Sequence, residues 1–353
     1  MDEQQIISSP LNDDSTPRLW GWHTFLSLGI TIVILGVLVA MVDLERIWQE
    51  VEACDKKFVL LGALAHYLTY PVRGLRWRRC LAHLPIRGNK AKFALVVFFY
   101  NFVDNLVPAK LGDVYAAHMA RINFGIRRSA AMGSIVFLRM LDAWTILVLA
   151  GLASWVLFST RLPRAVFWAL IAGGTIALGA TLIMLCFFLL QRSLPRWLPE
   201  KLRQIIEAFH TGMWPRPTQL LPVVGLTVVI WALETIWVFF LAYAFNLKLD
   251  LVEAVFLTMI PLLASAFPFT PSGAGVVEVT LFSCLRVIGV PTPLGVALTA
   301  LNRFIDYWLH IALGVVIWAF RHRLGLRTWR EVPHADGTRA YAPETIVRQE
   351  GYS

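Results

Sequence analysis

Long apolar blocks separated by short polar stretches set the pattern of this chain. The blocks run at 19–42, 58–81, 129–158, 165–190, 219–246 and 294–320. Each exceeds the roughly 20 residues that a helix needs to cross about 30 Å of hydrocarbon, so six spanning helices are predicted. The first block is too long for a signal-peptide core. It also lacks a basic flank and a convincing small-residue cleavage site, and it is read as a retained helix. Residues 1–18 are polar and mostly acidic and read as a disordered tail, and a second polar tail occupies 326–353. The membrane domain is thereby expected over 19–325.

Two apolar pieces are shorter. Residues 93–107 carry Asn101, Asp104 and Asn105 near their end and stop at Pro108. As a helix such a piece reaches only about 22 Å. Residues 253–268 stop at the break Pro268-Phe-Thr-Pro-Ser-Gly-Ala-Gly275. Short apolar pieces ending in Pro and Gly read as re-entrant or broken helices. The expected class is all-α: a polytopic integral membrane protein with about six full spans and two re-entrant or broken helices.

Composition agrees with that class. Of 353 residues, 57% are hydrophobic and only 16% charged, too few charges to build a water-facing surface. Mean hydropathy is +0.62. Fourteen Trp fit the interfacial preference of indole rings. The net charge of +9 does not point to nucleic acid, because the Arg and Lys sit in short stretches between apolar blocks. The four cysteines, Cys54, Cys80, Cys186 and Cys284, have no metal-ligand or disulfide spacing. No P-loop, G-x-S-x-G or H-E-x-x-H occurs, so no catalytic residue, metal or cofactor is assigned.

Charge fixes the expected orientation. Residues 73–92 carry Arg73, Arg76, Arg78, Arg79, Arg87, Lys90 and Lys92 without an acid, and the 191–217 loop and the stretch after 320 are also basic. All three are expected in the cytoplasm. The 43–57 loop is net acidic and is expected outside. Both termini then lie in the cytoplasm, in a multi-pass protein of the cell inner membrane. The segment 93–120 dips in from the cytoplasmic face, and 253–290 from the outer face.

The two dips share a pattern. Pro108-Ala-Lys-Leu-Gly112-Asp113 is followed by Arg139-Met-Leu-Asp142, and Pro271-Ser-Gly-Ala-Gly275 by Arg303-Phe-Ile-Asp306. The P-x-x-x-G and R-x-x-D elements lie 31 residues apart in one copy and 32 in the other, from proline to arginine. With opposed entry faces, this is the pattern of an inverted-topology repeat, 58–158 against 219–320.

These motifs supply the candidate substrate-binding residues. In each R-x-x-D pair, Arg139 with Asp142 and Arg303 with Asp306, the side chains share a helix face and are expected to pair within that helix. They form either a structural bridge or part of a transport path. Pro108 and Gly112 break the first dip, and Asp113 caps the helix beyond the break. The helix N-terminus beyond Asn105, with Lys110 and the interfacial Arg73 and Arg76, is a candidate cradle for a lipid phosphate. Arg78 and Arg79 are expected to do no more than fix topology. In the second dip Pro271, Gly273 and Gly275 form a tight turn, and Glu278 is an intramembrane acid without a neighbouring cation in sequence. Glu278 is expected to pair across the repeat with Arg139 or Arg303, or to carry a proton, and Glu234 is comparable. His66, His118 and His310 read as packed or interfacial.

The stretches YPVRGLRWRRCL, NFVDNLVPAKLGDVYAAHMARINFG, FLRMLDAW, PFTPSGAGVVEVTLF and LNRFIDYWLHIALG resemble the flippase-like membrane domain of lysylphosphatidylglycerol synthases, over about residues 20–325. In full-length synthases that domain translocates an aminoacylated lipid that a soluble domain makes. Nothing after residue 330 matches the soluble domain, so the resemblance is to a free-standing member and does not imply the lysyltransferase activity. The resemblance implies a lipid transporter whose cargo is an anionic or amphiphilic lipid, such as an anionic phospholipid or a lipid-linked glycan. A membrane-embedded transferase and an accessory subunit of a lipid or glycan synthase are the alternatives. A synthase partner or a homo-oligomer fits the same resemblance.

Overall fold

The computed structural model describes residues 44–87, 89, 91–106, 111–159, 162–191, 199–265, 273 and 275–328. Among these the secondary structure is entirely helical. The helices are α1 (Leu44–Ala53), α2 (Lys56–Cys80), α3 (Lys92–Leu106), α4 (Leu111–Phe124), α5 (Arg128–Phe158), α6 (Arg164–Gln191), α7 (Glu200–Met213), α8 (Pro217–Ala244), α9 (Leu251–Ala264), α10 (Val276–Val287), α11 (Thr292–Arg303) and α12 (His310–Ala319). A π-helical turn, Phe304–Leu309, joins α11 to α12 into one continuous rod.

Local chemistry sets several of the boundaries. Asp55 accepts from the Lys57 amide at 2.9 Å and starts α2. Asp250 and Glu253 form a reciprocal capping box that starts α9. Pro217 opens α8, where its missing N–H costs nothing.

Four rods are long and apolar enough to cross a membrane: Arg128–Phe158, Arg164–Leu189, Pro217–Ala244 and Thr292–Ala319. Helix α2 has 25 residues, but Lys56, Lys57, Arg73, Arg76, Arg78 and Arg79 dilute its hydropathy. The expected span at 19–42 and both tails lie outside the described residues. Large apolar side chains such as Leu60, Trp168, Ile183 and Leu221 face outward. In water they would be a liability, whereas in lipid they are the proper exterior.

The stretches read as polar loops at 43–57 and 191–217 each contain a helix, α1 and α7. Their many charges hide an apolar stripe at helical spacing. Helix α7 lies tightly along α5. A Cβ added at Gly133 would collide with the Phe209 carbonyl, and one at Gly212 with the Ala130 carbonyl. Small residues of this kind let two backbones meet without intervening side chains.

The order of elements occurs twice: a short amphipathic helix, a long helix, two shorter helices around a break, then a long rod. The first series is α1 to α5, and the second is α7 to α12. The long helices α2 and α8 pack along one another in the centre. The outer contacts are exchanged. Helix α3 packs on α12 of the other series, and α9 packs on α5. Likewise α1 packs on α11, and α7 on α5. One buried cluster is built mainly on α2 to α5 and another mainly on α8 to α11 with part of α5.

Candidate functional site

Residues beside the breaks of both short-helix pairs, Asp104 and Asn105 in one and Ser265 and Gly273 in the other, line a polar cavity of about 260 Å³. Its walls come from α2, α3, α5, α8, α9, α10, α11 and the π turn. Charged and titratable lining groups are His66, Tyr70, Arg73, Asp104, Arg139, Glu234 and Asp306. Both signs of charge therefore face one space, which buried ionisable groups in a bilayer require. Among the described residues no cluster of His, Cys, Asp or Glu is arranged to hold a metal.

Each break places an acid at the start of its second helix, and an arginine from the following rod meets it. Arg139 of α5 donates to Asp113 of α4 at 2.8 Å. Arg303 of α11 lies 2.7 Å from Glu278 of α10. The R-x-x-D residues do not pair within their own helices, contrary to the sequence expectation. Position i+3 shares a face, but an acid from the adjacent broken helix reaches each arginine more directly, leaving the aspartates to other partners. Asp142 is gripped at both oxygens by Arg76, which also donates to Thr227 at 3.0 Å. Trp231 donates to the same carboxylate at 3.1 Å. Asp306 faces His66, with Nε2 to Oδ1 at 3.5 Å.

Arg76 thus sits in the bundle interior, 4% exposed, and not at the interface expected from its place in the chain. The carboxylate of Asp142 neutralises it there. Arg73 reaches the cavity and donates to Glu234 at 2.9 Å. Glu278 has a cation after all, Arg303 of its own series, and its other oxygen accepts from the Gly275 amide at 2.7 Å.

Among the described residues, several helix-end groups inside the bundle are met by protein. Asp104 accepts from the Gly112 amide at 3.2 Å, and a Cβ on Gly112 would approach that side chain to 2.5 Å. Tyr307 donates to the Asn105 carbonyl at 3.0 Å. Gly273 and Gly275 have φ of +67° and +84°, the left-handed region open to residues without a Cβ, and Gly273 lines the cavity. Pro108, Lys110 and Pro271 lie outside the described residues.

His66, expected to be packed or interfacial, has a polar task as well. Its Nδ1 lies 3.0 Å from Glu234 while Nε2 faces Asp306. Trp237 donates to Asn302 at 3.1 Å, and both line the cavity. A histidine, an asparagine and a glutamate within apolar blocks were the available signals for this group.

The model of the lysylphosphatidylglycerol synthase transmembrane region matches residues 24–314. A UPF0104 membrane protein of Methanocaldococcus jannaschii is 28% identical over 217 residues, 61% of this chain and 92% of the relative. A second from the same organism is 23% identical over 313 residues, covering 81% and 91% of the two chains. A shorter similarity, 28% over 137 residues, links 38% of this chain to 22% of the glycosyltransferase AglD of Haloferax volcanii. With a helical bundle whose outside is apolar and a family match spanning most of its length, this chain is an integral membrane protein belonging to the lysylphosphatidylglycerol synthase transmembrane region family.

Proposed function

We propose that this protein moves a lipid between leaflets, with the polar headgroup passing through the cavity between two halves of an inverted repeat. The single observation that carries the reading is the cavity itself. It is headgroup-sized, smaller than the roughly 300–1,000 Å³ of drug-sized pockets, and is lined by residues beside both helix breaks. Exchanged packing of α3 on α12 and of α9 on α5 supports the repeat, since rocking one half against the other exposes a midplane site to alternate faces. The protein sits in the cell inner membrane, with both termini in the cytoplasm and α1 outside.

Arg139 is the arginine best placed to meet a headgroup phosphate. Its side chain is 41% exposed and lines the cavity, whereas Arg76 is locked to Asp142. Arg73, Asn105, Gly273 and Asp306 line the same space. The acids make the site amphoteric, so the cargo is an amphiphilic lipid with a polar, phosphate-bearing head. The family and the AglD similarity together favour an anionic phospholipid or a lipid-linked glycan. That similarity also keeps a lipid-linked transferase as the second reading.

Reconstitution into vesicles with a panel of fluorescent lipids tests the proposal through leaflet exchange measured by an impermeant quencher. At least one lipid is expected to exchange faster than in empty vesicles. Arg139→Gln is expected to slow that exchange by about tenfold, the loss of one charge-assisted contact. Exchange at the empty-vesicle rate for every lipid in the panel removes the transporter reading.

A further inference from the structure

We propose that His66 and Asp306 form a proton-binding site that couples lipid movement to proton movement. The inference rests on the transporter reading above and adds the ion to it.

Two aspartates occupy equivalent motif positions. Asp142 meets Arg76, a group that keeps its charge at any working pH, and both are buried. Asp306 meets a histidine instead, the side chain whose charge changes near neutral pH. Asp306 is also the open one: its side chain is 38% exposed and lines the cavity, against 9% for Asp142. The backbone departs from α geometry at this place alone among the described rods, in the π turn Phe304–Leu309. Such turns recur at functional positions because they re-aim a side chain without breaking the helix.

The hydrogen-bond roles leave one place for a mobile proton. Arg73 donates to one oxygen of Glu234, which favours the carboxylate form. His66 Nδ1, 3.0 Å from the other oxygen, must then donate its hydrogen to it. Nε2 is left facing the Asp306 carboxylate across 3.5 Å. With no proton between them, a lone pair and an anionic oxygen repel. With one proton, held as imidazolium beside carboxylate or as imidazole beside carboxylic acid, they attract. The gap therefore binds one dissociable proton, taken from water in the cavity and returned to water on release. No other bond is made or broken.

The groups facing His66 are Glu234 from α8, Asp306 from the π turn, and Arg73, Tyr67 and Tyr70 from its own helix. His310 stacks on Tyr70 behind it. Because His66 belongs to the first series and Asp306 to the second, the proton closes a contact between halves. Its release loosens that contact where the halves must move.

The test uses vesicles holding the whole protein and fluorescent phosphatidylglycerol, with an imposed pH difference of about one unit. Wild-type exchange is expected to change severalfold when the gradient is reversed, whereas in Asp306→Asn the ratio of the rates under the two gradients is expected to fall to one, whatever the basal rate of that variant. Exchange that ignores the gradient in the wild type overturns the coupling but leaves the transporter reading intact. If this probe does not move, histidine NMR decides. The His66 resonance, identified by its loss in His66→Gln, is expected to titrate with pH. Asp306→Asn should displace its midpoint by more than about half a unit, the effect of one nearby charge. A His66 signal that stays flat, or that Asp306→Asn leaves in place, overturns the proposal.

Discussion

Arg76 and Asp142 illustrate how little a charged residue's position in the chain says about its task. Both are buried, and two parallel hydrogen bonds join them. Removing one partner strands the other charge in a low-dielectric interior, at a cost of about 3–5 kcal/mol. Arg76→Gln and Asp142→Asn are therefore each expected to lower the thermal midpoint of the detergent-purified protein sharply. Replacing both by apolar residues, Arg76→Met with Asp142→Leu, is expected to restore much of it. Equal midpoints for single and double variants would show that the pair does not act as a unit. Arg139→Gln is expected to be far milder, because the Arg139 side chain already reaches the open cavity.

The seam between α5 and α7 shows the same economy in backbone. Gly133 and Gly212 face the carbonyls of Phe209 and Ala130 at distances that leave no room for a methyl group. Gly212→Ala is expected to destabilise the protein by about 1–3 kcal/mol, the usual cost of overpacking, measured as a fall in thermal midpoint. Gly179→Ala in α6 is the control. Nothing lies within 4 Å of a Cβ there, and a small gain is expected from better helix propensity. An equal fall in both would mean that the seam is not tight. The long rods and broken helices were legible in the sequence, because length, Pro and Gly report them locally. The helices α1 and α7 were obscured by charge. The partners of Arg139, Arg303 and Asp306 were not legible, because each is fixed by which helix packs alongside rather than by spacing within one helix. The candidate residues themselves stood out as ionisable groups in apolar surroundings, which is why the motifs led to the cavity although the pairings differed.

Across the whole molecule, α1 and α7 occupy matching places in their series, each lying against the closing rod of the other series: α1 on α11, α7 on α5. In the proposed inverted repeat these two helices lie at opposite membrane faces. Single cysteines at Gln49 and Gln204, both exposed on those helices, are expected to react with an impermeant reagent from opposite sides of the membrane in a cysteine-free background. Reaction of both from one side would rule out the inverted arrangement. The hydrogen bond from Tyr307 to the Asn105 carbonyl carries a further consequence, for the order of biosynthesis. Its two residues lie 202 positions apart, so at roughly 5–20 residues per second the donor leaves the ribosome some 10–40 s after the acceptor. Through that interval the nascent α3 lacks both this donor and the α12 surface that covers it. The broken pair α3–α4 thus completes its burial only when the last rod is inserted, and the final helix of the bundle serves as the latch for one of its earliest.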